Sequence, residues 1–257
     1  MDLLEIYIYI ILFIFGSVIG SFLNVVAMRL SVNESIMWPS SHCHNCQHKL
    51  KWYELIPVIS YILQKGKSRC CKTRIPISYL IIEIVTGTLY MVSYHSFGLS
   101  YNFIISIIFI SALIVIIVSD IEYMIILDEI IAGTSILIIL LYLMFFGLDY
   151  TVDKIVGGIL SFIAMYTIKI IGDKLFRKES MGGGDIKLMF LFGLVIGFYL
   201  SVCDIFLATF IAFPIAVYIL LRRKDNLIPF GPFLAMGAIL IHISKVDINS
   251  IINFLIK

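Results

Sequence analysis

Charged side chains are scarce in this sequence, and their scarcity excludes an ordinary soluble protein. They make up 14% of the 257 residues, whereas a soluble domain carries about a quarter. The net charge is +2 at pH 7, too small to favour nucleic acid as a partner. Disorder is excluded because 61% of the residues are hydrophobic and the mean hydropathy is +1.04. The composition predicts an all-α protein that crosses a lipid bilayer several times.

Three further patterns are absent. The sequence has no internal repeat or low-complexity tract, and it has no glycine-rich nucleotide fingerprint of the soluble kind. It also lacks a secretory signal, because Asp2 and Glu5 precede the first apolar stretch and no small-residue cleavage site interrupts that stretch cleanly. We therefore expect the first apolar stretch to be a retained membrane span.

About eight transmembrane helices are expected, since a spanning helix needs about 20 apolar residues. The candidate spans are 6–26, 77–94, 103–119, 130–147, 155–171, 186–200, 205–221 and 230–243. The sixth and eighth are short and contain glycine. Gly16 and Gly20 in the first span form G-x-x-x-G, which is typical of closely packed helices.

Lysine and arginine are unevenly distributed over the connections. Fifteen of the 19 lie in or at the edge of the connections after spans one, five and seven, and the last of these carries Arg222, Arg223 and Lys224. The opposite side holds Lys154, Lys245 and Lys257. The positive-inside rule therefore predicts three basic loops in the cytoplasm and the N-terminus outside.

The connection 28–76 is too long for a simple link between helices. It is expected to form a small cytoplasmic cysteine-containing domain, with 1–27 as the first transmembrane helix and 77–257 as the transmembrane core. Its short apolar run, 55–63, is interfacial or packed inside that domain. Cys43 and Cys46 form C-x-x-C, and the adjacent pair Cys70 and Cys71 follows roughly 20 residues later, a spacing typical of tetrahedral zinc sites.

The cytoplasm disfavours a structural disulfide in this loop. One interpretation is a zinc ion held by Cys43, Cys46 and Cys71 together with Cys70 or one of the nearby histidines, which are His42, His44 and His48. The other is a degenerate knuckle that folds without metal.

Acidic residues in apolar surroundings are functional candidates, because ionisable groups are expensive in a membrane. Asp120 ends the third span, Asp185 begins the sixth, Glu83 lies in the second, and Asp204 is expected at the outer interface. In the predicted topology Asp120 and Asp185 both lie near the cytoplasmic face. If the two spans touch, the carboxyl groups can share a proton and act as acid and base on a water, as in aspartic proteases.

Several neighbours are expected to support this pair. Gly182, Gly183 and Gly184 permit positive φ and close backbone approach, so an extended substrate could lie beside Asp185. Lys187 either tunes the charge of Asp185 or faces the headgroups. Glu83 is placed in a supporting rather than a catalytic role. Solvation is the simpler role for Glu122, Asp128 and Glu129, although Asp128 can contact substrate or a basic partner.

Five elements in this order resemble the type IV prepilin peptidases, which are membrane aspartic peptidases with a G-x-G-D signature. The elements are G-S-F-L-N-V-V-A-M-R-L (residues 20–30), the cysteine loop, D-I-E-Y-M-I-I-L-D (120–128), M-G-G-G-D-I-K (181–187) and I-P-F-G-P-F-L (228–234). The resemblance covers nearly the whole chain.

The resemblance implies an enzyme of the bacterial cytoplasmic membrane that cuts a short basic leader from prepilins or pseudopilins at the inner membrane face. Asp120 and Asp185 become its catalytic pair, and the cysteine loop becomes a zinc-binding domain. Many such enzymes then methylate the new N-terminus with S-adenosylmethionine, a second activity that rests on the resemblance alone. The pathway served, whether pili, secretion or DNA uptake, is left open.

Two positions depart from the family pattern. Ser68 stands where a third cysteine is expected, which puts a four-thiolate zinc site in doubt. Leu127 replaces a usual proline, which is expected to loosen the turn after Asp120.

Two other classes of function are compatible with single features of the sequence. A transporter could use Asp120, Asp185 and Glu83 as a proton or cation relay, although its acids should be spread through the membrane depth. An inactive scaffold could dock a cytoplasmic partner through the cysteine loop, but the intact acid pair disfavours it.

Overall fold

The computed structural model describes residues 3–43, 45–179, 181–222 and 228–246. In these ranges the chain is helical, without a β-strand and with two isolated β-bridges in the cysteine loop. The helices are α1 (Leu3–Ser31), α2 (Ile59–Leu63), α3 (Ile77–Phe97), α4 (Tyr101–Tyr123), α5 (Asp128–Phe146), α6 (Leu148–Phe176), α7 (Gly183–Ile196), α8 (Phe198–Arg222) and α9 (Gly231–Ser244), and a 3₁₀ turn covers Trp52–Glu54. The all-α prediction is confirmed.

Six of these helices, α1, α3, α4, α5, α6 and α8, are long and apolar enough to cross a membrane. Helices α7 and α9 have 14 residues each, about 21 Å, which is shorter than a hydrocarbon core of about 30 Å. Each of the eight predicted spans coincides with one of these eight helices. The predicted sixth span, however, runs through Gly197, where a φ of 86° ends one helix and lets the next begin at Phe198. Arg223, Lys224 and Lys257, used above for topology, and His44 lie outside the described residues.

The chain divides into two compact units, 1–99 and 100–257. In the first unit α1 packs along α3, so the contacts group α3 with α1, whereas the sequence grouped it with the later helices. The expected close packing at the G-x-x-x-G is confirmed. A Cβ at Gly16 would lie 2.8 Å from the Cα of Gly87, and a Cβ at Gly20 would lie 2.8 Å from Thr86 Oγ1.

The second unit is organised around α4 and α7. Two thirds of the most apolar stretch of α4 is buried, and α4 packs against α5 and α9. Helix α7 contacts α5, α6, α8 and α9, and the rings of Phe109 and Phe192 link α4 to α7 with 6.1 Å between centroids. This packing brings the end of α4 and the starts of α7 and α9 to the same side of the unit.

Asp204 lies in the interior of the second unit, and the expectation of an interfacial position is wrong. Its side chain is 0% exposed, because α8 begins at Phe198 and carries Asp204 against Gly237 of α9. Neither carboxyl oxygen has a hydrogen-bond partner among the described residues. The predicted sixth span, 186–200, ends four residues beyond α7, which left Asp204 in the link before the next span.

Gly87→Ala should destabilise the first unit. A Cβ at residue 87 would lie 2.6 Å from Ser17 Oγ and 2.7 Å from the carbonyl oxygen of Phe13, and overpacking of this kind costs about 1–3 kcal/mol. Thermal unfolding of the purified protein in detergent measures the effect. Gly133→Ala is the control, because nothing lies within 4 Å of that position. An equal Tm for both variants would contradict the close packing.

Candidate active site

Asp120 and Asp185 line one cavity of about 620 Å³ in the second unit. Their side chains are 6% and 7% exposed, so both carboxyl groups are largely removed from bulk water. The remaining lining comes from the segment after α4, the start of α7 with the segment before it, and the segment before α9, and consists of Met124, Ile126, Asp128, Glu179, Met181, Gly182, Gly183, Gly184, Lys187, Ile228, Pro229 and Phe230. The cavity therefore lies where one helix ends and two others begin.

The carboxylate of Asp120, in the last turn of α4, is met by the start of α9. The backbone N–H of Gly231 donates a hydrogen bond to it. A Cβ at residue 231 would lie 2.6 Å from Asp120 Oδ2 and 3.0 Å from Ile126 Cδ1, so the backbone reaches the carboxylate because residue 231 is a glycine. Sequence reasoning gave Gly231 no role. The available signal was a glycine followed by a proline at a helix start.

Asp185 is the third residue of α7. Its carboxylate reaches back to the N–H of Gly182, the residue that caps the helix, and it interacts electrostatically with Asp120. Its Oδ1 is buried and has no hydrogen-bond partner in the described part of the chain. An unsatisfied buried oxygen costs about 1–3 kcal/mol, and a water or a substrate group in the adjoining cavity could satisfy it.

The glycine run 182–184 provides close approach, and the expected use of positive φ is wrong. Gly182 has a φ of −66° and a ψ of 146°, while Gly183 and Gly184 are the first residues of α7. A Cβ at residue 184 would lie 2.6 Å from Ile126 Cβ, whereas nothing lies within 4 Å of the corresponding position at residue 183. The loop after α4 can thus lie against α7, and room remains beside Gly183.

Lys187 and Asp128 form an ion pair at the rim of the cavity, with 2.6 Å between Nζ and Oδ2. Their side chains are 51% and 60% exposed, so the pair contributes at most about 1 kcal/mol. It ties the start of α7 to the start of α5. Glu122 and Glu129 are exposed, as a solvated role requires.

Leu127 caps the start of α5 with a φ of −77° and a ψ of 111°. Proline fixes φ near −65°, so leucine here follows a backbone path close to the one a proline would impose. Its side chain is 5% exposed and therefore adds a buried apolar contact. The expected loosening of the turn after Asp120 stays a prediction.

Glu83 belongs to the first unit and is not among the residues that line the cavity. Its Oε2 accepts the N–H of Val58 at 2.7 Å, and Ser21 also hydrogen-bonds to it. Glu83 thereby fastens the cysteine loop to α3. Its predicted part in supporting the active site stays a prediction.

The four loop cysteines Cys43, Cys46, Cys70 and Cys71 come together, with all four Sγ atoms within 4.8 Å of one another. Two turns of the same design bring them there. The N–H of Cys43 bonds to the carbonyl of His48, and the N–H of Ser68 bonds to that of Thr73. Ser68 therefore occupies the position in the second turn that Cys43 holds in the first.

The same comparison shows how the second turn compensates for its serine. Cys71 corresponds to Cys46, and Cys70 holds the place that Asn45 has in the first turn. Ser68 Oγ lies 2.8 Å from Cys70 Sγ, so the additional thiol fills the space next to the serine. The side chains of the neighbouring residues Cys70 and Cys71 converge, with 3.8 Å between their Sγ atoms.

Zinc–sulfur bonds of about 2.3 Å place the sulfurs of a tetrahedron about 3.8 Å apart. The Cys43–Cys71 and Cys70–Cys71 separations of 3.6 Å and 3.8 Å fit this value, whereas Cys46 and Cys70 are 3.0 Å apart and would have to separate to bind one ion. The Thr73 hydroxyl, 3.0 Å away, lowers the pKa of Cys71 to about 5. A hydrogen bond with Cys70 raises the pKa of Cys46 to about 12. The Cys71 thiol therefore ionises easily before a metal binds. A metal ion would displace the proton from the hydrogen-bonded pair Cys46 and Cys70.

Comparison with known proteins agrees with this architecture. A model described as "Bacterial Peptidase A24 N-terminal domain" matches residues 14–97, and one described as "Type IV leader peptidase family" matches residues 107–217. No solved structure matches the chain significantly.

Curated relatives cover most of the chain. A prepilin leader peptidase/N-methyltransferase of Bacillus subtilis (strain 168) is 34% identical over 96% of this chain and 97% of its own length. A protein of the same name from Myxococcus xanthus (strain DK1622) is 31% identical over 72% of this chain and 55% of its length. Another from Pseudomonas putida is 27% identical over 87% of this chain and 86% of its length. The helical fold and the cavity with its two aspartates are consistent with these matches. The chain belongs to the type IV leader peptidase family.

Proposed function

We propose that this chain is a multi-pass inner-membrane aspartic endopeptidase that removes the leader from type IV prepilins or pseudopilins and then methylates the new N-terminus. The observation that carries the peptidase is the meeting of Asp120 and Asp185, two buried carboxyl groups 65 residues apart in sequence, in one cavity. Family membership supports the reaction class.

The two aspartates divide the work of hydrolysis. Two carboxyl groups that interact electrostatically in one cavity can share one proton. The ionised one takes a proton from a water as the water oxygen attacks the scissile carbonyl carbon. The protonated one hydrogen-bonds the carbonyl oxygen and stabilises the charge that develops there. When the tetrahedral intermediate collapses, the C–N bond breaks and the leaving nitrogen receives the proton that the first aspartate took from the water.

The backbone around the pair suits an extended substrate. Gly182 is extended and the space beside Gly183 is open, so a peptide strand has room next to Asp185. The N–H groups of Gly231 and Gly182 hold the two carboxylates in place, which limits the reorganisation required during reaction.

The proposed topology puts the cavity at the cytoplasmic face. Support comes from the basic connections after the first, fifth and seventh spans and from the positive-inside rule. A basic leader in the cytoplasm would then arrive at the side of the membrane where the aspartates lie.

The methyltransferase activity is proposed from the names of the relatives. S-adenosylmethionine is the methyl donor in this proposal, and we assign none of the described residues to its binding. The cysteine cluster is proposed to hold zinc through Cys43, Cys46, Cys70 and Cys71, with the metal fixing the two turns of the loop against each other.

The transporter hypothesis finds no support in the comparisons, since the relatives described above are leader peptidases and N-methyltransferases by name.

Asp120→Asn and Asp185→Asn should each lower the rate of leader cleavage by at least about 100-fold, because each removes an acid–base group. The purified protein is incubated with a candidate prepilin and S-adenosylmethionine, and the products are weighed by mass spectrometry. Wild-type protein is expected to yield pilin without its leader and with one added methyl group.

Asp149→Asn is the matched control, because Asp149 is exposed at the start of α6 and should leave cleavage unchanged. Normal cleavage by the Asp120 or Asp185 variant would remove that residue from the mechanism. Cleaved pilin without a methyl group would contradict the second activity alone.

Gly231→Ala should lower kcat more than it raises KM, because the new Cβ would displace the carboxylate of Asp120 from its backbone donor. We expect a loss of about 10-fold or more, as is usual when a catalytic group is misplaced. Steady-state cleavage kinetics measure both constants, with Gly133→Ala as control. An unchanged kcat would show that the contact between α9 and Asp120 has no part in catalysis.

Metal binding should depend on Cys70, because Ser68 has replaced the usual thiol. Cys70→Ser should weaken zinc binding by about 10-fold or more, while the double variant Ser68→Cys/Cys70→Ser should restore it by rebuilding a second C-x-x-C. Metal analysis of the purified variants and competition with a chelator measure this. Equal zinc content in wild type and Cys70→Ser would exclude Cys70 as a ligand.

A further inference from the structure

The segment Trp52–Leu63 of the cysteine loop presents large apolar side chains on its surface. Trp52 is 77% exposed, and Leu55, Ile59, Ile62 and Leu63 are between 42% and 69% exposed. Ile59, Ile62 and Leu63 follow the spacing of one helix face. On the other side of α2, Tyr61 turns inward, with its hydroxyl bonded to the carbonyl of Ile75.

This segment is tied to a membrane helix at a defined depth. The N–H of Val58, which precedes α2, donates to Glu83 Oε2 at 2.7 Å. Glu83 lies six residues beyond the start of α3 at Ile77, a rise of about 9 Å. Since Ile77 and Ile81 on the first turns of α3 are exposed apolar residues of a spanning helix, the start of α2 lies alongside the first apolar turns of α3.

Basic and aromatic groups surround the apolar face. Arg69 lies over the ring of Tyr53 at 5.2 Å and Lys51 at 5.9 Å, measured to the centroid, and the same ring contacts Trp52. The whole loop 28–76 contains eight Lys and Arg against two Glu, and one of these, Glu54, accepts the N–H of Lys51. Exposed tryptophan and aliphatic side chains beside cations are characteristic of segments that lie in the headgroup region of an anionic bilayer.

We propose that the segment Trp52–Leu63 is a membrane-surface anchor, which inserts its apolar face among anionic lipid headgroups on the side from which α1 and α3 emerge. The anchor is independent of the peptidase proposal, because it uses no cavity residue. It holds the cysteine cluster at the bilayer surface, since the loop is then fixed by both spanning helices and by lipid. The hydrogen bond to Glu83 places the segment beside a spanning helix, and the excess of cations in the loop favours anionic headgroups. Both observations favour lipid over another protein as the partner of the apolar face.

The full-length protein provides its own reporter for a test. It contains two tryptophans, so Trp38→Phe leaves Trp52 as the single fluorophore. The variant is reconstituted in nanodiscs of phosphatidylcholine with or without phosphatidylglycerol, with bromine placed near either end of the acyl chains. We expect blue-shifted emission and a loss of fluorescence that is larger for bromine near the headgroup, and larger again with the anionic lipid.

Two further variants in the Trp38→Phe background test the apolar and basic parts separately. Ile59→Ser/Ile62→Ser should reduce quenching by both brominated lipids. Lys51→Gln/Arg69→Gln should reduce the difference between anionic and neutral nanodiscs, whereas the control Lys178→Gln, which changes an exposed lysine of another basic loop, should not. Two results would overturn the proposal: Trp52 quenched by aqueous iodide but by neither lipid, which means exposure to water, or Trp52 protected from both, which means that protein covers it.

Discussion

The contact between Asp120 and the start of α9 constrains most of the second unit. A carboxylate at the end of a spanning helix requires a partner, and here the partner is the N–H of Gly231. That donor reaches the carboxylate because α9 begins beside α4 without a side chain in between. The packing of α9 on α4, and of α7 among α5, α6, α8 and α9, brings the two acids together in one apolar bundle.

Much of this arrangement could be predicted from the sequence. The apolar runs gave eight helices, because a bilayer imposes a length and a composition that ordinary soluble folds do not. Asp120 and Asp185 could be predicted as a pair from the sequence, because charged residues are so few that each acid in an apolar stretch stands out as a functional candidate. The eighth span, predicted at 230–243, agrees with α9 to within one residue at each end. The sequence could not give the boundary between α7 and α8, because it depends on Gly197, and a glycine inside an apolar run looks the same whether the helix continues or stops.

The misplacement of Asp204 has the same origin. Because the sixth span was predicted to end at residue 200, Asp204 was expected at the outer interface. In the structure the helix break at Gly197 places Asp204 in the interior, against Gly237. In the cysteine loop, sequence spacing identified Ser68 as a missing ligand. It did not show that the two turns have equivalent hydrogen bonds. That equivalence explains why Cys70 lies beside Ser68 and within the cysteine cluster.

The 14-residue helices α7 and α9 also decide how water meets the aspartates. Each is shorter by about 9 Å than the hydrocarbon thickness, and both pack against longer helices. The cavity sits at the starts of these helices. In the topology proposed above, water would reach the aspartates from the cytoplasmic side, and a substrate whose apolar stem stays in lipid would not have to be extracted for its junction to be hydrolysed.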